Sequence, residues 1–375
     1  MFKKFRHHKY FPHIFWAVII IIVLLLVFLS YRKAYSEMKI MDTHEHIQSM
    51  RRAEELRMAM ENLGIEKTFL IPSPNETITL NGRKSFTKYK KNVDEILKIA
   101  EKYPNDFIPF CTVSPLDKDA LDTLIDCHSR GGKGLKLYNG HSLYYGVFNM
   151  PLDSEIMDSI YDYAEKERLP VLYHVNLTQY GTELENVLKK HPNMVVSIPH
   201  FMVSSVNLSK VEHILDTYPN TYTDISFGYD PYFSAGFHRI SVDIEKYKEF
   251  FSEYSDRILF GADMVLTDME KKDQAYMETI LECYKKILEK KSFKCAPVND
   301  YYKKVSEKNR EIFEKCNPKE DDFCKTSKQK TESFTRWYNE TKKLNGLNLS
   351  SEILKKIYIE NPERFLSGLT FGMEK

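Results

Sequence analysis

From residue 39 onward the chain alternates short apolar segments with amphipathic stretches of helix length, and this rhythm limits the available folds more than any other feature. Strand-like segments bounded by turn signals fall at 39–42, 67–72, 107–113, 134–137, 170–174, 194–198, 221–225 and 257–261. Amphipathic helical patterns fill the gaps, at 93–103, 153–168, 184–191, 208–218 and 244–254. Parallel strands need connections of helix length, so the alternation predicts an α/β fold with a parallel sheet. Eight units within about 250 residues favour a closed (β/α)8 barrel over an open sheet. No Gly-x-Gly-x-x-Gly follows the first strand, which argues against a dinucleotide site.

The first thirty residues stand apart. Sixteen apolar residues run unbroken from Ile14 to Leu29 between a basic head (Lys3, Lys4, Arg6, Lys9) and a basic exit (Arg32, Lys33). A hydrocarbon core takes about 17–25 residues, so Phe11 and Tyr31 at the edges make the run just sufficient. The run has no polar face, which disfavours a buried core helix. A cleaved signal peptide is the competing reading, but no small-x-small cleavage site precedes Ala34. The expectation is a single-pass membrane anchor in a 1–35 segment, with a 36–375 catalytic domain on the extracytoplasmic side. An exported domain can keep disulfides, and there are six cysteines. A local bridge is expected among Cys295, Cys316 and Cys324, with Cys111 and Cys127 as reduced core thiols. Residues 290–344 break the strand–helix rhythm and read as a partly helical, Cys-containing insertion. Lys+Arg is 54 against 53 for Asp+Glu, a net charge of +1, so nothing global points to nucleic acid. The expected partner besides the membrane is a small-molecule substrate, and the oligomeric state is open.

In barrels, functional side chains sit at the C-terminal ends of strands. The first strand leads into Asp42-Thr43-His44-Glu45-His46, the fifth ends in His174, the sixth is followed by His200, and the eighth leads to Asp263. Residues two apart on a strand point the same way, so His44 and His46 can share one ion. Imidazole nitrogens with a carboxylate suit a divalent ion, Zn²⁺ first. Taken singly, each has a plainer reading: a polar loop, a half-buried histidine, a capping aspartate. Core packing does not explain ligand-type side chains at four strand ends at once. His128, His141, His191 and His213 read as surface or helix residues; His141, on the 139–150 loop that is placed to form a lid or wall, reads as an exposed loop histidine in preference to a substrate contact.

This pattern resembles the amidohydrolase superfamily, whose fold is a metal-dependent TIM barrel. The phrases Gly132-Lys133-Gly134-Leu135-Lys136-Leu137, Arg257-Ile258-Leu259-Phe260-Gly261-Ala262-Asp263 and Asn361-Pro362-Glu363-Arg364-Phe365-Leu366 look most like its amidohydrolase-2 branch. The resemblance covers residue 39 to about residue 273 and the last twenty residues. It implies His44, His46 and His174 as nitrogen ligands of one or two ions. Asp263 would be both ligand and general base for an activated water. His200 would serve a second ion or act as an acid or stabiliser. Lys136 would be a carboxylated lysine or, preferably, bind an anionic substrate. Tyr138 and Arg239, expected on the loops after strands four and seven, are further substrate contacts. The expected activity is hydrolysis of a small ester, lactone, amide or related bond. A non-oxidative decarboxylase on the same ligand set is the alternative, and a non-enzymatic binding protein a third. No Gly-rich cradle or Arg cluster supports phosphate-ester chemistry.

Overall fold

The computed structural model describes residues 39–79, 85–228, 230–268, 272–298 and 338–370, with short pieces at 16, 19–21, 332–333 and 335–336. The chain divides into two units, residues 1–39 and 40–375. The expected anchor at 14–29 falls mostly outside the described residues. Among those described, no helix is long and apolar enough to cross a membrane.

β1 (Ile40–Ile47) is buried at every position although five of its eight residues are polar. Such a strand is stable only when each polar group finds a partner, and the remaining strands supply them. β2 (Ile65–Ile71), β3 (Phe107–Pro109) and β10 (Met264–Leu266) join β1 in one parallel sheet, in the order β10-β1-β2-β3. A second parallel sheet holds β4 (Cys111–Thr112), β5 (Leu135–Gly140), β6 (Val171–Val175), β7 (Val196–Ile198), β8 (Thr221–Asp224) and β9 (Ile258–Leu259) in sequence order. Only Phe110 separates β3 from β4, and its amide donates to Leu70 O, so the third strand position belongs to both sheets. The eighth position is likewise split into β9 and β10. The pairing therefore runs from β1 through eight positions and returns to β1. This is an α/β fold of parallel strands with intervening helices, as the alternation predicts.

Two strand boundaries differ from expectation. β1 continues to Ile47 instead of stopping at residue 42, and strand eight resumes at Met264 after Asp263. Both extensions are polar or follow a backbone break, so a search for apolar runs does not see them.

The lower interior is filled by Met41, Phe69, Ile71, Phe110, Leu172, Tyr222 and Leu259, with Phe365 inserted from the last helix, Asn361–Ser367. Phe365 packs on Phe69 and Tyr222 at ring separations of 6.4 and 5.6 Å. Asn361 Nδ2 donates to Ser255 O (2.7 Å) and Ile258 O (2.8 Å), which locks this helix to β9. The C-terminal Asn-Pro-Glu-Arg-Phe phrase thus closes the end of the barrel opposite the histidines.

The 290–344 segment enters and leaves through a two-stranded antiparallel ribbon, β11 (Ser292–Phe293) with β12 (Leu344–Asn345). Residues 338–341 are helical, and Cys316 and Cys324 lie outside the described residues. The cysteine expectations need correction. Cys111 and Cys127 form a disulfide across 16 residues, and Cys295 pairs with Cys283, not within the insertion. The first bridge ties β4 to the helix Ala120–Ser129 behind it, a tertiary closeness that linear spacing does not reveal. Cys111→Ser is expected to lower the unfolding free energy by about 2–4 kcal/mol, read from urea denaturation of the oxidised protein. An unchanged midpoint would contradict the bridge.

Candidate metal centre

Strand alternation places His44 and His46 on the inner face of β1 and Glu45 on the other. His46 Nε2 lies 3.0 Å, and His44 Nε2 3.2 Å, from Asp263 Oδ1. Potential ligand atoms of these three buried residues lie within 4.8 Å of one another.

The hydrogen-bond partners decide where the ring protons are. Asp224 Oδ2 is 2.8 Å from His44 Nδ1. Burial alone would raise the Asp224 pKa, but the bond to His44 and its charge outweigh it and hold it at about 2. Asp224 is thus an acceptor only, so His44 carries its proton on Nδ1. Tyr138 donates its one hydroxyl proton to Pro72 O (2.6 Å), which leaves its oxygen as an acceptor for the Ser73 hydroxyl (3.2 Å). With the Ser73 proton on Tyr138, Ser73 Oγ accepts from His46 Nδ1 (2.6 Å). Ser226 Oγ donates to Asp224 Oδ1 (2.6 Å) and so accepts from His200 Nδ1 (2.8 Å). All three histidines carry Nδ1–H and aim an Nε2 lone pair inward. Each is oriented from behind, as metal-ligating histidines commonly are.

Burial lowers the His44 pKa to about 4 and lowers that of His46 as well, so both are neutral at pH 7. Burial would raise the Asp263 pKa, yet the nearby histidines push it far below the usual carboxylate range. Two lone pairs therefore face an anionic oxygen, and Asp263 Oδ1 has no hydrogen-bond donor. Lys136 Nζ, 3.3 Å from His44 Nε2, supplies positive charge on one side, and a divalent ion among the three atoms would use all of these lone pairs. The donor set fits a divalent ion of borderline softness.

The backbone is shaped to bring these atoms together. The amide of Asp263 donates to His44 O (2.7 Å), and Glu45 Oε2 accepts from the Met264 amide (2.9 Å). Glu45 therefore holds strand eight against strand one on either side of Asp263. Asp42 Oδ2 and Glu45 Oε1 are the pair's two buried oxygens without a donor. Burial raises both carboxyl groups, Asp42 to about 7 and Glu45 well above the usual carboxylate range, so one proton shared between them satisfies both. Asp263 has φ +54°, and His200, Phe201, Met202 and Val203 form a left-handed run with φ between +51° and +62°. For non-glycine residues this costs roughly 1–2 kcal/mol each and is usually found where function demands it. Gly228, at φ +66°, leaves no room for a Cβ, which would collide with Asp263 Oδ2.

The remaining sequence-derived residues divide into two groups. His200 Nε2 is 3.5 Å from Asp263 Oδ2, and the His174 ring stands 4.8 Å from that of His200. His174 joins the histidine cluster but is not part of the converging His44–His46–Asp263 set. Lys136 is fully buried with Nζ 3.3 Å from His44 Nε2, and burial lowers its pKa to about 8. Tyr138 is not on a loop. It is buried within β5 and supports His46 through Ser73. Arg239 is not on a loop either. It lies in the helix Asp230–Val242 and donates to Ser205 Oγ, bracing the segment that follows the left-handed run. His141 is half-buried and caps a helix, so the exposed-loop reading is corrected. Sequence reasoning missed Asp224, Ser226 and Ser73. Asp224 ends a recognised strand segment and was within reach of the strand-end rule. The serines carry no signal of their own.

A family model described as an amidohydrolase matches residues 77–286, more than half of the chain. The chain belongs to this amidohydrolase family. The match holds Lys136, His174, His200, Asp224 and Asp263, while His44 and His46 precede it. Among solved structures, a TIM-barrel protein from Bordetella bronchiseptica is similar at 15% identity, covering 88% of this chain and 99% of the other with a TM-score of 0.50. A 4-oxalomesaconate hydratase from Rhodopseudomonas palustris matches at 13% identity over 88% and 96%, TM-score 0.46. A 5-carboxyvanillate decarboxylase from Novosphingobium aromaticivorans, complexed with manganese, matches at 13% identity over 67% and 94%, TM-score 0.39. No curated protein matches the sequence.

Two substitutions test the geometry. Asp224→Asn removes the fixed acceptor behind His44 and should weaken divalent-ion binding about 10–100-fold, by competition with a chromophoric chelator. Gly228→Ala should displace Asp263 and weaken binding similarly while the circular dichroism spectrum stays unchanged. Wild-type affinity in both variants would refute this account of the centre.

Proposed function

We propose that this amidohydrolase-family enzyme hydrolyses a small ester, lactone, amide or related bond, with Zn²⁺ or a similar divalent ion held by His44, His46 and Asp263. The observation that carries this reading is the convergence of two neutral imidazole lone pairs on an anionic oxygen, with each tautomer set from behind. A bound divalent ion would supply Lewis acidity, polarising a substrate oxygen and acidifying water. Asp263 offers its second oxygen, Oδ2, as the base that takes the proton of an attacking water. Oδ2 faces His200 Nε2 at 3.5 Å, so His200 is placed to relay that proton to the departing group. Lys136 brings an amine to the same point, where a substrate oxygen or an added carboxylate would meet it. His174 extends the wall on the side of β6. The barrel excludes water from β1 at every residue, which strengthens each of these interactions.

We also propose that the domain works on the extracytoplasmic side of a membrane, anchored through residues 14–29. Support comes from two disulfides with no free thiol among the described cysteines, a pattern typical of oxidising compartments.

The test uses the metal-loaded full chain with 4-nitrophenyl acetate for hydrolysis and 2,6-dihydroxybenzoate for CO₂ release. Ester hydrolysis that falls at least about 10³-fold in Asp263→Asn, the order expected for loss of a general base, supports the reading. CO₂ release without hydrolysis would replace it with the decarboxylase. Burial lowers the His44 pKa to about 4, so divalent-ion affinity should be unaffected by His44 protonation at pH 5 and should weaken progressively below pH 4, read by chelator competition. Loss centred near pH 6.5 would show an ordinary exposed histidine instead.

A further inference from the structure

His141 differs from the three histidines that face Asp263 in one respect that can be counted. It is the N-cap of the helix Ser142–Phe148, and its Nδ1 accepts the amide proton of Leu143 at 2.9 Å. A backbone N–H has no acceptor role, so Nδ1 must hold a lone pair. A neutral imidazole with its lone pair on Nδ1 carries its proton on Nε2. His44, His46 and His200 have the reverse arrangement. They present lone pairs to an ion, whereas His141 presents an N–H.

The ring sits where such a donor could be used. It lies against His174 with centroids 4.1 Å apart, and is backed by Tyr144 at 5.5 Å. It is close enough to feel the charges of Lys136, His200, Asp263 and His46. The helix it caps is held down by Tyr144 and Phe148, which pack on Phe86 at 5.3 and 5.0 Å, and by Tyr144 bonding Thr77. The ring's position is therefore fixed by the fold. Among the described residues, Nε2 has no partner, and the side chain is half-buried.

We infer that His141 is a substrate-contacting residue, donating one hydrogen bond from Nε2–H to a carbonyl or carboxylate oxygen of a ligand bound at the metal centre. The inference rests on the metal-centre reading above. It assigns the ring two duties on its two nitrogens, capping the helix with Nδ1 and gripping the ligand with Nε2.

Two variants separate these duties. Asn places an amide oxygen near the Nδ1 position and is a good N-cap, but it has no donor at the Nε2 position. Gln places an amide N–H near Nε2 but caps poorly. The probe is acetohydroxamate, titrated into the Co²⁺-loaded full chain and followed by cobalt absorbance, with the melting temperature of each protein measured alongside. His141→Asn should melt as the wild type does and bind acetohydroxamate about tenfold more weakly, the loss of one hydrogen bond. His141→Gln should melt lower while staying within about threefold of wild-type affinity. Wild-type acetohydroxamate affinity in Co²⁺-loaded His141→Asn overturns the donor role, as does weakening that simply follows the melting temperatures in both variants. A wild-type chain that takes up no cobalt overturns the metal centre itself.

Discussion

Asp224 accepts four hydrogen bonds in a place closed to solvent: His44 Nδ1 on Oδ2, and the His200 amide, the Ser226 amide and the Ser226 hydroxyl on Oδ1. A buried carboxylate is costly unless its lone pairs are used, and here donors from β1, from the turn after β7 and from its own loop use them. Through these bonds one side chain fixes the tautomer of His44, the start of the left-handed run and, by way of Ser226, the tautomer of His200. Asp263 then lies among nitrogens whose protons all point away from it. The fitness of that point for a divalent ion follows from this wiring, together with Ser73 behind His46, as much as from the identity of the three ligands.

Much of this was legible in the sequence. The alternation from residue 39 carried the parallel α/β architecture, because a parallel crossover demands a helix-length connection. The rule that function collects at strand ends picked out His44, His46, His174, His200 and Asp263, and the structure gathers all five. The rest was hidden for identifiable reasons. Tyr138 and Arg239 were expected on the loops after strands four and seven, but they lie in a strand and a helix. One is buried beneath His46 and the other braces a turn, and neither fact is encoded locally. Cys111 and Cys127 looked like core thiols because a strand and a helix sixteen residues apart in sequence give no sign of touching. In the sequence His141 reads as an exposed loop residue in preference to a substrate contact, because a loop histidine and a helix-capping histidine differ only in backbone geometry.

Glu45, the middle residue of the short motif between the two histidines, turns out to have a job of its own. Strand alternation forbids it from sharing a face with its neighbours. It reaches instead across to strand eight, holds the Met264 amide, and shares a proton with Asp42. The motif is thus two ligands and the strut that keeps the third ligand's strand in register. That accounts for β1 being a polar strand in a fully buried position. Asp42 and Glu45 are its structural polar groups and His44 and His46 its chemical ones, so neither pair is free to become apolar.

The left-handed run from His200 to Val203 also bears on the order in which the molecule is assembled. Four consecutive non-glycine residues in that conformation cannot form early on local preference, since each favours another region of backbone space. The run is held by groups that arrive later in the chain: the Asp224 carboxylate on the His200 amide, and Arg239 and Tyr247 on Ser205. Residues 200–205 should thus settle only after β8 and the helices Asp230–Val242 and Ile244–Glu253 have docked. The nascent barrel would pass through a stage with its walls built and His200 still unplaced, so the chain cannot acquire a finished centre before it has a finished fold.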